Sequence, residues 1–140
     1  AGAPGRFGVF LPAAHEADLA RDPVFLPVSQ PACVARTNVA IVNAGAPETG
    51  TVAFRVDVRD GRTRELLRTE SALLIGARGF LQLSTLVPPC APLGRELVVT
   101  VTRTSGDAPF LSYAVVNDGA WPGDGTGDGG VIGMRVEPAH

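Results

Sequence analysis

Two histidines are all the imidazole this chain carries, and neither has the company that catalysis needs. A hydroxyl or thiol nucleophile requires a base within hydrogen-bond reach. Ser29, Ser71, Ser84, Ser105 and Ser112 lie in no Gly-x-Ser-x-Gly setting, and His140 stands alone at the end of the sequence. His15 follows a short apolar run, where it reads as a capping or loop-bonding residue. Acidic residues are scattered over polar positions, so no carboxylate pair of the glycosidase kind stands out. Metalloprotease, P-loop and dinucleotide signatures are absent. The residues point away from an enzyme.

The stretch 118–130 has the composition of a ligand loop. Asp124-Gly125-Thr126-Gly127-Asp128-Gly129 sets oxygen groups at alternate positions, as the first half of a calcium loop does, with Asp118 just upstream. Such a loop needs a bidentate carboxylate at its twelfth position. That position is Arg135, whose charge repels a cation. A hairpin loop that uses Gly and Asp for positive φ accounts for the same residues. No cofactor is expected, with calcium on Asp118, Asp124 and Asp128 as the alternative. Trp121, followed by Pro122, is the one aromatic placed to meet a sugar ring. A formal charge of −2 gives no field for a phosphate backbone, so no nucleic-acid partner is expected. Arg59, Arg62, Arg64 and Arg68 alternate with Asp57, Asp60, Glu65 and Glu70, which predicts an internally paired ribbon. All twelve basic residues are arginine, a pattern that reads as codon bias of a GC-rich genome.

The scaffold that must position these residues is legible as β-structure. Val52, Phe54, Val56 and Val58 alternate with Ala53, Arg55, Asp57 and Arg59, and Leu97, Val99 and Val101 repeat the pattern. Successive strand side chains point to opposite faces, so each such segment buries one face. Seventeen glycines and twelve prolines suit short strands joined by turns rather than long helices. Strands are expected over residues 24–28, 34–43, 51–59, 63–69, 73–75, 80–86, 96–103, 110–117 and 131–136. Asp60-Gly61 is the strongest hairpin signal. Pro27 confines its strand to an edge or a bulge, and residues 104–107 are expected to join two paired strands. The result is an all-β, immunoglobulin-like Greek-key sandwich of eight or nine strands. It divides into an N-terminal extended segment, residues 1–30, and a sandwich domain, residues 31–140.

Cys33 and Cys90 form no CxxC and lack well-spaced histidines, so they read as one disulfide closing a loop of more than fifty residues. Two buried thiols are the alternative. Ala1-Gly2-Ala3-Pro4-Gly5 reads as the end left after leader removal, and no apolar run approaches the length of a membrane span.

Two stretches, Phe10-Leu11-Pro12-Ala13-Ala14-His15 and Arg36-Thr37-Asn38-Val39-Ala40-Ile41-Val42-Asn43, carry a resemblance. Gly61 after an acidic turn and Tyr113-Ala114-Val115-Val116-Asn117-Asp118 before a Gly/Asp loop extend it. Together they are similar to a loosely defined group of exported, mostly uncharacterised domains of GC-rich bacteria. The resemblance implies an immunoglobulin-like sandwich outside the cytoplasm, within secreted or cell-surface proteins, and no catalytic residues. The Cys33/Cys90 pair and the insert around Trp121-Pro122 depart from that group's outline.

Phe7, Val9, Phe10 and Leu11 form a strand-capable piece set apart by Pro12 and a mixed linker. An extended piece of this kind completes either its own sheet or the exposed edge of a neighbour's; repeated head to tail, the second contact builds a filament. The expected function is a non-catalytic, exported structural subunit of an extracellular or cell-surface assembly. Its partners are further copies of itself or other surface proteins. The alternative is an adhesion module that binds calcium or a glycan through residues 118–130.

Overall fold

The computed structural model describes residues 14–30, 35–84, 86–87, 95–118 and 129–136. Nine strands form two antiparallel sheets packed as a sandwich: β1 (Val24–Gln30), β2 (Ala35–Asn43), β3 (Val52–Asp60), β4 (Leu66–Ile75), β5 (Phe80–Leu83), β6 (Arg95–Ser105), β7 (Phe110–Asp118), β8 (Gly129–Gly133) and β9 (Arg135–Val136). The first sheet has the order β4-β3-β6-β1-β9 and the second β5-β2-β7-β8. The alternation seen in the sequence is what fills the space between them. Val52, Phe54, Val56 and Val58 of β3 and Leu97, Val99 and Val101 of β6 are all buried. Opposite them lie Val39 and Ile41 of β2 and Phe110 and Ala114 of β7. Phe54 and Phe110 meet edge to face across the sheets, ring centroids 5.2 Å apart, an arrangement favoured by the aromatic quadrupole.

One connection differs from expectation. Residues 104–107 do not join a hairpin, because β6 belongs to the first sheet and β7 to the second. The turn is an arch over the end of the core, tied by Arg103 Nη1 donating to Ala108 O at 2.7 Å. Gly106 takes φ +81°, which a side chain rarely adopts. The tight link between β4 and β5 likewise crosses from one sheet to the other. At the β3–β4 hairpin the Asp60 carboxylate accepts from the N–H groups of Arg62 and Thr63, and the positive φ falls on Arg64 rather than on Gly61. Gly61 answers a different need: its N–H donates to Glu96 O at 2.8 Å, and a Cβ would sit 3.0 Å from that oxygen.

Along one side the sheets are joined by chain that changes sheet. Ala20 exchanges two backbone hydrogen bonds with Phe110 of the second sheet, and the chain then enters β1 of the first. β8 leaves the second sheet at Gly133, and after Met134 β9 pairs with Val24 and Phe25 of β1. At that step the Ser112 N–H donates to the Met134 sulfur at 3.4 Å instead of to a carbonyl. Because β9 reaches only Phe25, no strand among the described residues covers the far side of β1 from Leu26 to Ser29. Pro27, with no N–H to offer, sits on that edge as its chemistry requires.

Candidate assembly surface

The two outer faces of the sandwich differ in character. On the first sheet β3 turns out Arg55, Asp57 and Arg59, β6 turns out Glu96, Val98, Thr100 and Thr102, and the edge strand β4 adds Leu66 and Leu74. On this face Arg55 Nε lies 3.1 Å from Asp57 and Thr69 Oγ1 donates to Asp57 at 2.7 Å, while Arg68 and Glu70, 2.6 Å apart, sit opposite Val58 and Val56 on the other side of β4. Of the expected paired ribbon, Arg68 is matched with Glu70, while Asp57 takes Arg55 and Arg59 donates to Arg64 O.

The second sheet turns out a different set. Residues facing each other across an antiparallel pair share a face, so the register assembles the outer rows directly. The first is Phe80, Val42 and Leu111; the next is Gln82, Ala40, Tyr113 and Gly133; the third centres on Asn38, Val115 and Val131. Ala40 is only 2% exposed and Phe80 is 55% exposed, with Val42, Leu111, Tyr113, Val115 and Val131 half-buried. Gln82 and Asn38 bring polar groups into the second and third rows, and the last row, Arg36, Asn117 and Gly129, has no large apolar side chain. A solvent-facing antiparallel sheet ordinarily has a polar outer face. This one carries a second apolar layer.

A groove of about 490 Å³ runs along that layer. Its wall is Ala14, Ala17 and Leu19, the approach to β1, which includes a one-turn 3₁₀ helix, Glu16–Asp18. That turn is pinned by Asp18, whose carboxylate accepts the His15 N–H at 2.9 Å, while His15 O accepts the Asp18 N–H. His15 itself is exposed and acts through its backbone, as a cap. The floor is Leu111, Tyr113, Val131 and Gly133, closed at one end by Met134. A Cβ added to Gly133 would find no atom within 4 Å, so the glycine leaves an open trough.

The sheet edges are unequally suited to accept another chain. β4 suffers two register shifts against β3, one opposite Phe54/Val56 and one opposite Val58/Arg59, and carries Ala72 at φ +54°. Such bulges and charges discourage edge pairing. β5 is four residues long. β8 pairs with β7 from Gly129 to Gly133 with no shift.

Of the residues singled out by their chemistry, Phe7, Val9, Phe10, Leu11, Cys33, Cys90, Trp121, Asp124 and Asp128 lie outside the described residues. Asp118 ends β7 opposite Ala35 and is half-buried. Among the described residues no group of three or more His, Cys, Asp or Glu is placed to hold a metal ion, and no helix is long and apolar enough to cross a membrane. The apolar outer face was missed in the sequence, although the uninterrupted runs Val39-Ala40-Ile41-Val42 and Tyr113-Ala114-Val115-Val116 signal it. Strands covered on both faces read as continuous apolar runs rather than as alternation.

No protein-family model matches the chain, and no curated protein matches it in sequence. Among solved structures, the chain is similar to Thermotoga maritima 1070 at 14% identity, covering 80% of this chain and 91% of that one with a TM-score of 0.52. It is also similar to the Anabaena sensory rhodopsin transducer at 15% identity, covering 68% of this chain and 95% of that one with a TM-score of 0.47. At these identities the likeness is one of fold.

Proposed function

We propose that this protein is a non-catalytic structural module of an extracellular or cell-surface assembly, and that it associates with copies of itself through the outer face of the β5-β2-β7-β8 sheet. The observation that carries the reading is the second apolar layer: Val42, Leu111, Tyr113, Val115 and Val131 together on one outer face, with residues 14–19 along its groove. A contiguous apolar patch on a folded surface marks an interaction site. On the opposite face β3 and β6 present mainly charged and hydroxyl groups, which suit a solvent-facing exterior. An extracellular setting is supported by the Cys33/Cys90 pair, which fits an oxidising compartment.

The test is the mass in solution by size-exclusion chromatography with light scattering. The intact chain is expected to run as a multimer. Val115→Glu, which puts a charge at the centre of the face without touching the core, is expected to give monomers that melt within a few degrees of the parent. A parent that stays monomeric at its highest soluble concentration would defeat the reading. So would a Val115→Glu chain that assembles unchanged.

A further inference from the structure

We infer that the groove between residues 14–19 and the outer face of β7 and β8 is the seat of residues 7–11 from a second copy of the chain. This rests on the self-association reading and names the element that mediates it. Three features converge on an extended apolar occupant. The groove is floored by Leu111, Tyr113 and Val131, so a guest gains by burying apolar side chains. Its volume, about 490 Å³, lies in the range of peptide and small-molecule pockets. Gly133 keeps the floor low where no backbone angle or neighbouring atom demands a glycine, as happens where another backbone approaches closely.

The chain itself supplies a segment of matching chemistry. In extended form Phe7, Val9 and Leu11 share one face, three apolar side chains for one apolar trough. Only a short link is available to turn it back onto its own groove. Ala14 already stands in the wall, and only Pro12 and Ala13 separate it from Leu11. Pro12 disfavours a helical reversal at Leu11, which favours a donor from another copy. Donor and acceptor are then different surfaces of one subunit. Contacts of that head-to-tail kind propagate instead of closing.

Complementation tests this with the full chain. Phe7→Asp/Val9→Asp removes the donor, and Gly133→Leu fills the acceptor where the structure leaves space. Each variant alone is expected to be monomeric, and an equimolar mixture is expected to form dimers, since each retains what the other lacks. A mixture that stays monomeric overturns the inference, because the segment then sits in its own groove or elsewhere. Variants that both assemble like the parent also overturn it. If Val115→Glu still dissociates that same parent, self-association through the face stands without the donor strand. A parent that never assembles removes both. As a second measurement, a labelled peptide of residues 5–12 is expected to bind the Phe7→Asp/Val9→Asp chain. Adding Gly133→Leu should weaken that binding at least about tenfold. A peptide that fails to bind, or ignores Gly133→Leu, overturns the proposal.

Discussion

Asn43 is a buried amide that holds one end of the sandwich closed. Its Nδ2 donates to Ile75 O at 3.0 Å and to Gly50 O at 3.3 Å, and its Oδ1 accepts the Gly45 N–H at 2.9 Å. One side chain thereby ties the end of β2 to the end of β4 and to the loop around Pro47–Thr49. Gly45 beside it has no room for a side chain, since a Cβ would come within 2.6 Å of Ala108 Cβ. Asn43→Ala strands two carbonyls and an amide, and is expected to cost about 2–4 kcal/mol in urea unfolding. Asn43→Asp is expected to be no better. It keeps the acceptor for Gly45 but turns a carboxylate toward two carbonyl oxygens. The sequence marks Asn43 as the last residue of a strand, but its function as a tie depends on partners seven and thirty-two residues away. Gly61 shows the same boundary of inference: its presence at a turn was legible, while the reason for it, the approach to Glu96, lies on another strand.

At the scale of elements, the residues that alternate cleanly were read correctly because one face of β3 and β6 meets the core and the other meets water. The arch at residues 104–107 was not, since a hairpin and an inter-sheet arch ask for the same turn residues. What separates them is which sheet accepts β7, and β7 is apolar on both faces. β4 makes a further prediction. It is the long edge of the first sheet, with Leu66 48% exposed and Leu74 69% exposed, and the Arg68–Glu70 pair lies between its two bulges. Charges on an edge strand keep it from templating other chains. Arg68→Val/Glu70→Val removes both charges and leaves the edge from Leu66 to residue 70 apolar except for Thr69. Its expected outcome is native-like melting at low concentration together with a thioflavin signal on concentrating that exceeds the parent's.

For the molecule as a whole, the register of β1 and β6 bears on the two cysteines. Gln30 and Arg95 are partners, Cys33 follows the first by three residues and Cys90 precedes the second by five. Gln30 and Arg95 thus lie side by side at one end of the first sheet, and the short links to Cys33 and Cys90 support the proposal that the two cysteines pair. One disulfide and no free thiol is the expected count under denaturing conditions. Reduction, or Cys33→Ala/Cys90→Ala, is expected to lower stability by about 2–4 kcal/mol in urea unfolding. Two titratable thiols in freshly isolated, air-handled protein would contradict it.

The pairing of Val24 with Val136 carries a mechanical consequence. Because β9 runs antiparallel to β1, a pull on the chain before Val24 against the chain after Val136 is applied at one end of the pair. The bonds there are loaded in succession, as teeth of a zipper, rather than all at once in shear. A thread of such units hung by its covalent ends would yield at low force. Tension is better carried sideways, from the lodged strand of one unit into the sheet of the next.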